Sequence, residues 1–241
     1  MSQLGTLLSK PGRRRGTVFA AVSMLIAATA GLFLSPVRAD AASQPSAGVE
    51  WYVTPGGDAG QCGNPTSSTQ WAVSPDWTSP IRIDTDGRAG GCNLAFGIYD
   101  PSDVLAGLSA SYTWAVSPGG DANQCGTAGT WAMPVNTQFE QFGQVVLDDT
   151  DNRSGWCNLT FSLSGRSDVG LDLQYYADAS GSDNQCVNAL PQGDYYTATA
   201  GSPITLELDT DNRAGGCWLS IRVRQFSSAA AAQHAAGIHR A

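Results

Sequence analysis

The sequence has few side chains that can transfer a proton near neutral pH. Its two histidines, His234 and His239, lie in the last eight residues, and its single lysine is Lys10 near the N-terminus. Nucleophilic catalysis of the serine or cysteine hydrolase kind needs a base that titrates near neutrality. A carboxylate pair could still hydrolyse a glycoside, but that chemistry needs two carboxylates with unequal roles. The three similar copies of a repeat, described below, would instead offer three nearly equal sites. We therefore expect a protein that is not an enzyme.

Basic residues become scarcer still beyond the N-terminal segment. Residues 1–41 hold five of the 13 basic residues and one of the 21 acidic residues. The remainder therefore has 8 basic and 20 acidic residues, a formal charge near −12. Such a surface repels phosphate groups, so we expect no nucleic-acid partner.

The first 41 residues have the layout of an export signal. An arginine run at 13–15 precedes an uncharged stretch from Thr17 to Leu34, and small residues follow at Ala39 and Ala41. This pattern predicts a secretion signal peptide over residues 1–41, with cleavage after Ala39 as an alternative. An uncleaved membrane anchor is the competing interpretation. We expect a secreted, extracellular protein with no stable membrane span after cleavage.

All six cysteines follow the predicted signal and stand about 30 residues apart. An even number of cysteines in an exported chain predicts a disulfide framework. Zinc sites need closely spaced cysteine or histidine pairs, so we expect no metal bound by these residues. We expect pairing within each copy of the repeat described next, and a cyclic pairing between copies is the alternative. The expected pairs are Cys62 with Cys92, Cys125 with Cys157 and Cys186 with Cys217; the cyclic pairs are Cys92 with Cys125, Cys157 with Cys186 and Cys217 with Cys62.

One unit recurs three times along the chain. Its first block runs from an aromatic residue to a cysteine 11 positions later and begins at Trp51, Trp114 and Tyr175. Its second block is an Asp-Thr-Asp-Asn-Arg-Ala-Gly-Gly-Cys segment with few changes, beginning at Asp84, Asp149 and Asp209. A fixed internal period of this kind indicates a repeated structural unit.

Hydrophobic residues alternate with polar residues after the second cysteine of each copy, which predicts a half-buried strand. Another strand is expected before the Asp-rich block, and the block itself is expected to be the hairpin loop between them. With two further strands, each copy has about four.

We predict an all-β fold of three repeats of about 55–60 residues with pseudo-threefold symmetry, like a β-trefoil or β-prism. Three small β-domains in tandem are the alternative. The predicted boundaries are repeats at 49–100, 112–165 and 172–225, linkers at 42–48, 101–111 and 166–171, and a disordered Ala-rich tail at 226–241.

The Asp-rich block resembles part of a calcium-binding loop because its acidic residues alternate. An arginine stands where a third oxygen ligand would be needed, which favours a structural turn in which the aspartates accept backbone hydrogen bonds. We expect no cofactor, with calcium and direct ligand contact as alternatives. The block residues in question are Asp86, Asp151, Asp211, Arg88, Arg153 and Arg213.

Tryptophans that break the repeat are candidates for ligand contact. Trp156 replaces a glycine of the other copies, Trp218 replaces an asparagine, and Trp77 lies in a variable loop. Aromatic rings can stack on the C–H faces of sugars, although these three could instead cover a neighbouring repeat. The first aromatic residue of each copy, by contrast, is expected in the core.

We therefore predict a non-enzymatic, lectin-like binding module for a carbohydrate or cell-envelope polymer, acting through several weak sites. An inhibitor of a secreted enzyme that presents the segment Thr130 to Gln144 is one alternative, and a structural cell-surface protein is another. The sequence predicts no oligomeric state.

Overall fold

Strands are the only regular secondary structure in the residues that the computed structural model describes. These residues are 44–53, 57, 70–83, 91–122, 125, 128–137, 145–148, 155–179, 186–209, 216–227 and 237–239. The predicted signal peptide and most of each Asp-rich block lie outside them. The all-β fold class is confirmed for the described part of the chain.

Each copy of the repeat contributes four main strands. The first copy has β1 (Ser46–Val53), β2 (Gln70–Ser74), β3 (Ile81–Ile83) and β4 (Gly91–Tyr99). The second has β5 (Ser109–Val116), β6 (Gly129–Met133), the short β7 (Val135–Asn136), β8 (Val145–Asp148) and β9 (Cys157–Ser164). The third has β10 (Val169–Ala177), β11 (Tyr195–Thr199), β12 (Ile204–Leu208) and β13 (Cys217–Gln225), and β14 (Gly237–His239) follows.

Alternation of side chains explains the last strand of each copy. In β9, Cys157, Leu159, Phe161 and Leu163 are buried, whereas the residues between them are partly exposed. Successive side chains of a strand point to opposite faces, so this period of two buries one face of the sheet.

The strands form three sheets, and in the described residues no sheet closes on itself. In each sheet the first strand of a copy lies between the second and the fourth, giving β2-β1-β4, β6-β5-β9 and β11-β10-β13. We call them the first, second and third sheet after the copy that supplies these strands. All of these pairings are antiparallel.

The third strand of each copy pairs with the fourth strand of a different copy. β8 pairs with β4, β12 pairs with β9, and β3 pairs with β13. The predicted hairpin between the third and fourth strands is therefore wrong, because β3 and β4 lie in different sheets. Local alternation predicts that a strand forms, but it carries no information on which edge completes its hydrogen bonds.

The strands begin before the predicted repeat boundaries. β1 begins at 46 rather than 49, β5 at 109 rather than 112, and β10 at 169 rather than 172. The additional residues include Ala47, Ala110 and Leu171, whose side chains are buried. Burial of these side chains extends each strand into a segment that the sequence assigns to a linker.

Part of the C-terminal tail is also a strand. Gly237–His239 pairs antiparallel with Tyr195–Thr197 of β11. An edge strand presents unpaired backbone groups that an extended segment can satisfy. The disorder predicted for the tail therefore does not extend to these three residues.

All three sheets bury side chains in one hydrophobic cluster. Phe96 of the first sheet packs edge-to-face against Tyr112 and Phe161 of the second, with ring centroids 5.0 Å and 4.9 Å away. The described residues all lie in one compact unit of the chain. Strand exchange and a shared core thus join the three copies.

The first aromatic residue of each copy packs in or against this core. Trp114 and Tyr175 are fully buried, and Trp51 is partly buried against the cluster. The Trp114 indole N–H donates to the Cys125 carbonyl at 2.6 Å, and the Tyr175 hydroxyl donates to the Glu207 carbonyl at 2.7 Å. Burial raises the pKa of Tyr175 well above its usual value. These aromatic side chains therefore contribute to the fold.

Two of the predicted disulfides are confirmed. Cys125 bonds to Cys157 and Cys186 bonds to Cys217, with Cα atoms 5.6 Å and 5.7 Å apart. The cyclic alternative is therefore wrong for these four cysteines. Cys92 is disulfide-bonded as well, and its predicted partner Cys62 lies outside the described residues.

A buried carboxyl group of the first sheet leads to a pH-dependent prediction. Glu50 is 1% exposed, and within the described part of the chain neither of its carboxylate oxygens has a hydrogen-bond partner. Burial raises the pKa of Glu50 because the charged form loses its hydration. The folded state consequently favours the protonated form, and stability is lost as the pH rises through the raised pKa.

Glu50→Gln is therefore expected to increase the free energy of unfolding at pH 7 by about 1–3 kcal/mol. Gln174 occupies the equivalent position of the third copy, so the side chain suits this strand. The gain should vanish near pH 4, where the folded and unfolded forms of the wild type are both largely protonated. Urea unfolding at the two pH values measures this difference. An equal gain at both would show that the charge of Glu50 is not responsible.

Candidate binding site on the third sheet

Charged side chains gather on the outer face of the third sheet, the face opposite the hydrophobic cluster. Along β13, Trp218, Ser220, Arg222 and Arg224 alternate with buried apolar residues, so they share this face. Asp172 of β10 lies directly opposite Arg222 in the antiparallel register. A carboxylate and two guanidinium groups therefore meet in the middle of the sheet.

Asp172 organises this group. Its side chain is fully buried and its two oxygens accept four hydrogen bonds. Oδ2 accepts from Arg222 Nη2 at 2.8 Å and Nε at 3.2 Å, and Oδ1 accepts from Thr197 Oγ1 at 2.8 Å and Arg224 Nη2 at 3.2 Å. A carboxylate has about four acceptor positions, so Asp172 is fully satisfied. Its bonds hold both guanidinium groups in fixed positions.

Aromatic rings lie beside the two guanidinium groups. The Arg222 guanidinium carbon is 4.4 Å from the Trp77 ring centroid and 5.6 Å from that of Tyr195. The Arg224 carbon is 5.7 Å from Tyr195 and 4.8 Å from Phe226. Such cation–π contacts contribute about 0.5–1 kcal/mol each at exposed sites. They further restrict where the arginine side chains can point.

The segment that carries Asp76 and Trp77 is fixed to the sheet by the residue that follows them, Thr78. The Thr78 N–H donates to the Ile221 carbonyl at 3.0 Å, and the Ile221 N–H donates to Thr78 Oγ1 at 3.0 Å. Trp77 also packs edge-to-face on Tyr195, with centroids 5.6 Å apart. Asp76 Oδ1 accepts from Arg222 Nη1 at 3.2 Å. A loop of the first copy thus completes a group on the third sheet.

A cavity of about 520 Å³ opens beside these residues. This volume lies within the range of about 300–1,000 Å³ that is usual for small-molecule sites. Arg224 Nε, although buried, has no hydrogen-bond partner within the described residues. The cavity is lined by Gln44, Pro45, Pro75, Asp76, Arg222, Val223, Arg224 and Gln225.

The charged group occurs in only one copy of the repeat. Counted from the first aromatic residue, Asp172 corresponds to Gly48 and Ser111. Counted from the second cysteine, Arg222 corresponds to Gly97 and Ser162. The repeated fold therefore forms with small residues at these positions, and it does not require the charges of the third copy.

The second sheet illustrates the contrast. Its outer face pairs threonine hydroxyls across strands, Thr113 with Thr130 at 2.9 Å and Thr160 with Thr205 at 2.8 Å. Cross-strand threonine pairs of this kind are an ordinary source of sheet stability. The third sheet is therefore the candidate site for a specific ligand, in place of three equal sites.

The structure places two of the predicted tryptophans on the third sheet. Trp77 contacts Arg222, and Trp218 lies farther along β13, stacked on Tyr176 with centroids 6.4 Å apart and planes 15° apart. Trp156 adjoins β9 of the second sheet, where its backbone N–H donates to Ser117 Oγ at 3.1 Å. The three tryptophans predicted to contact a ligand are thus not brought together into one site.

The six predicted aspartate and arginine residues of the Asp-rich blocks lie outside the described residues. They are Asp86, Asp151, Asp211, Arg88, Arg153 and Arg213. Their role in ligand or calcium binding therefore stays a prediction. Among the residues that are described, no group of three or more His, Cys, Asp or Glu side chains is placed to hold a metal ion.

Sequence reasoning missed Asp172, Arg222 and Arg224. A signal was available, since each is a charged residue where the other copies have a small or uncharged one. An acidic residue inside the apolar run Val169-Gly-Leu-Asp-Leu173 was a second signal, because a buried charge needs partners. The same comparison between copies identified Trp156 and Trp218, and it applies equally to charged residues.

Comparison with known proteins adds no assignment to this site. No family model matches the sequence, and neither the curated proteins nor the solved structures contain a match to it. Separately, the described part of the chain contains no helix of the length and hydropathy needed to cross a bilayer.

Proposed function

We propose that this protein is a secreted, non-enzymatic binding module that recognises a carbohydrate or a cell-envelope polymer at the cavity beside Arg222 and Arg224. One observation carries the proposal: fixed polar groups border a cavity of about 520 Å³ next to an aromatic cluster. Asp172, Arg222 and Arg224 belong to the third copy and are replaced by small or uncharged residues in the other copies, whereas Asp76 comes from the first copy.

The donors and acceptors of the cavity suit sugar hydroxyls, each of which both donates and accepts a hydrogen bond. The arginines supply only donors, and the amides of Gln44 and Gln225 both donate and accept. Because Asp172 fixes the guanidinium groups, little side-chain entropy is lost when a ligand binds. Preorganised polar groups of this kind favour recognition of a polar, hydroxylated ligand.

The environment of Asp172 supports a binding role over a catalytic one. A general acid or base must exchange a proton with the substrate, and must therefore reach it. Asp172 is fully buried, and within the described residues its side chain bonds to Arg222, Arg224 and Thr197. Its function in this proposal is to position the two arginines.

Disulfide chemistry supports the proposed location. Cys125–Cys157 and Cys186–Cys217 are bonds of the kind that persist in oxidising compartments, outside the cytosol. Cleavage of residues 1–41 during export is part of the proposal, and N-terminal sequencing of the secreted protein tests it.

The strand exchange supports a pseudo-threefold prism as the architecture of this module. In each sheet the fourth strand pairs with the third strand of another copy, and the three exchanges run in one cyclic direction. A β-trefoil, the other predicted architecture, needs strands that close into a barrel. An experimental structure in which threefold rotation superposes the three sheets tests this arrangement, and failure of that superposition would contradict it.

Trp77→Ala is expected to weaken carbohydrate retention about two- to fivefold, because Arg222 lines the cavity and loses the cation–π contact that restricts its position, which contributes about 0.5–1 kcal/mol. Retention on a panel of polysaccharides and immobilised oligosaccharides measures the effect. Circular dichroism establishes that the variant is folded.

Trp156→Ala is the matched variant, since Trp156 lies at the second sheet. It should retain the wild-type level of binding. An equal loss in both variants would show that the cavity is not the site. If the wild type is retained on no carbohydrate but removes protease activity stoichiometrically, the proposed function is wrong and the protein is an inhibitor.

A further inference from the structure

Arg222 has two carboxylate partners that differ greatly in exposure. Its Nη2 and Nε atoms bond to Asp172, whose side chain is fully buried. Its Nη1 atom bonds at 3.2 Å to Asp76, whose side chain is 76% exposed. One side of the guanidinium is thus fixed within the sheet, and the other bonds to an exposed carboxylate that lines the cavity.

The pair with Asp76 is the one that a ligand can exchange. A solvent-exposed ion pair contributes little stability because water and salt screen it. Asp76 makes a single contact with Arg222, through one oxygen atom. A ligand group that bonds Arg222 in its place therefore displaces little stabilising energy.

The charges of the group define what such a ligand group must be. Arg222 and Arg224 together carry two positive charges, and the buried Asp172 neutralises one of them. Asp76 neutralises the second. When Asp76 is displaced, the site needs one negative charge, which a carboxylate supplies and a doubly charged phosphate exceeds.

The donor that Asp76 occupies also suits a carboxylate. It is Arg222 Nη1, which bonds to Asp76, and both residues line the cavity. Charge-assisted hydrogen bonds from guanidinium to carboxylate are about twice as strong as neutral ones. Asp76 in effect occupies the position of a ligand carboxylate in the unbound protein.

The overall charge of the chain limits how acidic the ligand can be. The formal net charge after residue 41 is near −12, from 8 basic and 20 acidic residues, so a densely charged polyanion is repelled at long range. A glycan with isolated acidic residues brings one carboxylate to the cavity with little such repulsion. This favours a sparsely charged glycan over a fully charged polymer.

We infer that the cavity binds a sugar acid, an isolated uronic acid residue of an otherwise neutral glycan, whose carboxylate replaces Asp76 on Arg222. The inference rests on the proposed carbohydrate-binding function and specifies its ligand class. Asp76 then acts as an internal competitor that any neutral sugar leaves in place.

The test uses the full secreted protein and an array of oligosaccharides that each carry one uronic acid, beside the methyl ester of each. The ester preserves the sugar and removes the charge. We expect the acid form of the preferred oligosaccharide to bind at least about ten times more tightly than its ester, a difference of about 1.4 kcal/mol. Calorimetric titration of that pair measures the ratio.

Asp76→Asn distinguishes competition from ordinary contact. Removal of the internal carboxylate should tighten binding of the acid about two- to fivefold and leave the ester unchanged. Asp121→Asn removes the same charge from the exposed turn after β5 and should change neither. Arg222→Gln should reduce the affinity for the acid to that for the ester. Because Asp76 is exposed, the Asp76→Asn variant should fold even if Arg222→Gln does not.

Three outcomes separate the inference from the proposed function. If acid and ester bind equally, or if Asp76→Asn weakens or does not alter binding of the acid, the sugar-acid inference is overturned and the carbohydrate-binding function stands. If acids, esters and neutral oligosaccharides all fail to bind, both are overturned. Tighter binding of the acid alone in Asp76→Asn supports both.

Discussion

Replacing Cys186 and Cys217 together by Ala is expected to lower the free energy of unfolding by about 3–4 kcal/mol. The bond closes a loop of 31 residues, and the chain-entropy model assigns about this value to that length. A small domain is stable by only about 5–15 kcal/mol, so the loss is a large fraction of the total. Unfolding in urea, followed by fluorescence, measures it.

The position of this disulfide adds to the expected loss. Cys217 begins β13 of the third sheet, whereas Cys186 forms a bridge with Leu208 of β12, which lies in the second sheet. The next residue, Val187, donates to the Glu207 carbonyl of β12 at 3.0 Å. The disulfide therefore joins two sheets, and its loss should loosen the contact between them.

Ala rather than Ser is the appropriate replacement, because Cys186 and Cys217 are 2% and 1% exposed and a buried hydroxyl would add its own penalty. The corresponding Cys125→Ala, Cys157→Ala variant removes a bond that closes a loop of similar length, and it controls for the entropy. A loss below about 1 kcal/mol for Cys186 and Cys217 would contradict both the entropic estimate and the role between sheets.

The strands and two of the disulfides could be predicted because their signals are local. Alternation in Leu159-Thr-Phe161 specifies which face of β9 is buried, whatever lies next to it. Cysteines at equivalent positions of a repeat pair within it when the strands they flank are neighbours, as Cys125 and Cys157 do beside β5 and β9. Such features depend on few distant contacts.

The strand partners could not be predicted in the same way. Ile81–Ile83 pairs with β13, more than 130 residues away, although β4 of its own copy follows it in the chain. Every copy has nearly the same fourth strand, so its third strand could satisfy its hydrogen bonds on any of three similar edges. Only the arrangement of the three sheets decides among them.

The candidate site depends on the same exchange of segments between copies. Trp77 could be selected from the sequence because it lies in a variable loop, but its contact with Arg222 joins the first copy to the third. Asp172 looks unfavourable in an apolar strand until Arg222 and Arg224 are seen beside it. A comparison of copies reveals that these residues are unusual, and only the fold reveals that they are partners.

Asp172→Ala is expected to lower the free energy of unfolding by about 3 kcal/mol and to reduce ligand affinity at least about tenfold. Removing one partner of a buried ion pair leaves the other charges uncompensated, which commonly costs about 3–5 kcal/mol. We expect the lower part of that range because the Arg222 and Arg224 side chains are 22% and 27% exposed and can regain some hydration. The affinity falls because neither guanidinium is held at the cavity.

Asp168→Ala is the matched control for this prediction. Asp168 also pairs with an arginine, accepting from Arg166 Nε and Nη2 at 2.7 Å each, but its side chain is 39% exposed. An exposed pair of this kind should contribute only about 0–1 kcal/mol, and it does not line the cavity. Urea unfolding and calorimetric titration should therefore distinguish the two substitutions clearly. Equal losses of stability in both variants would mean that burial of Asp172 is not the source of its contribution to stability. Unchanged ligand affinity in Asp172→Ala would mean that binding does not depend on the positions of Arg222 and Arg224.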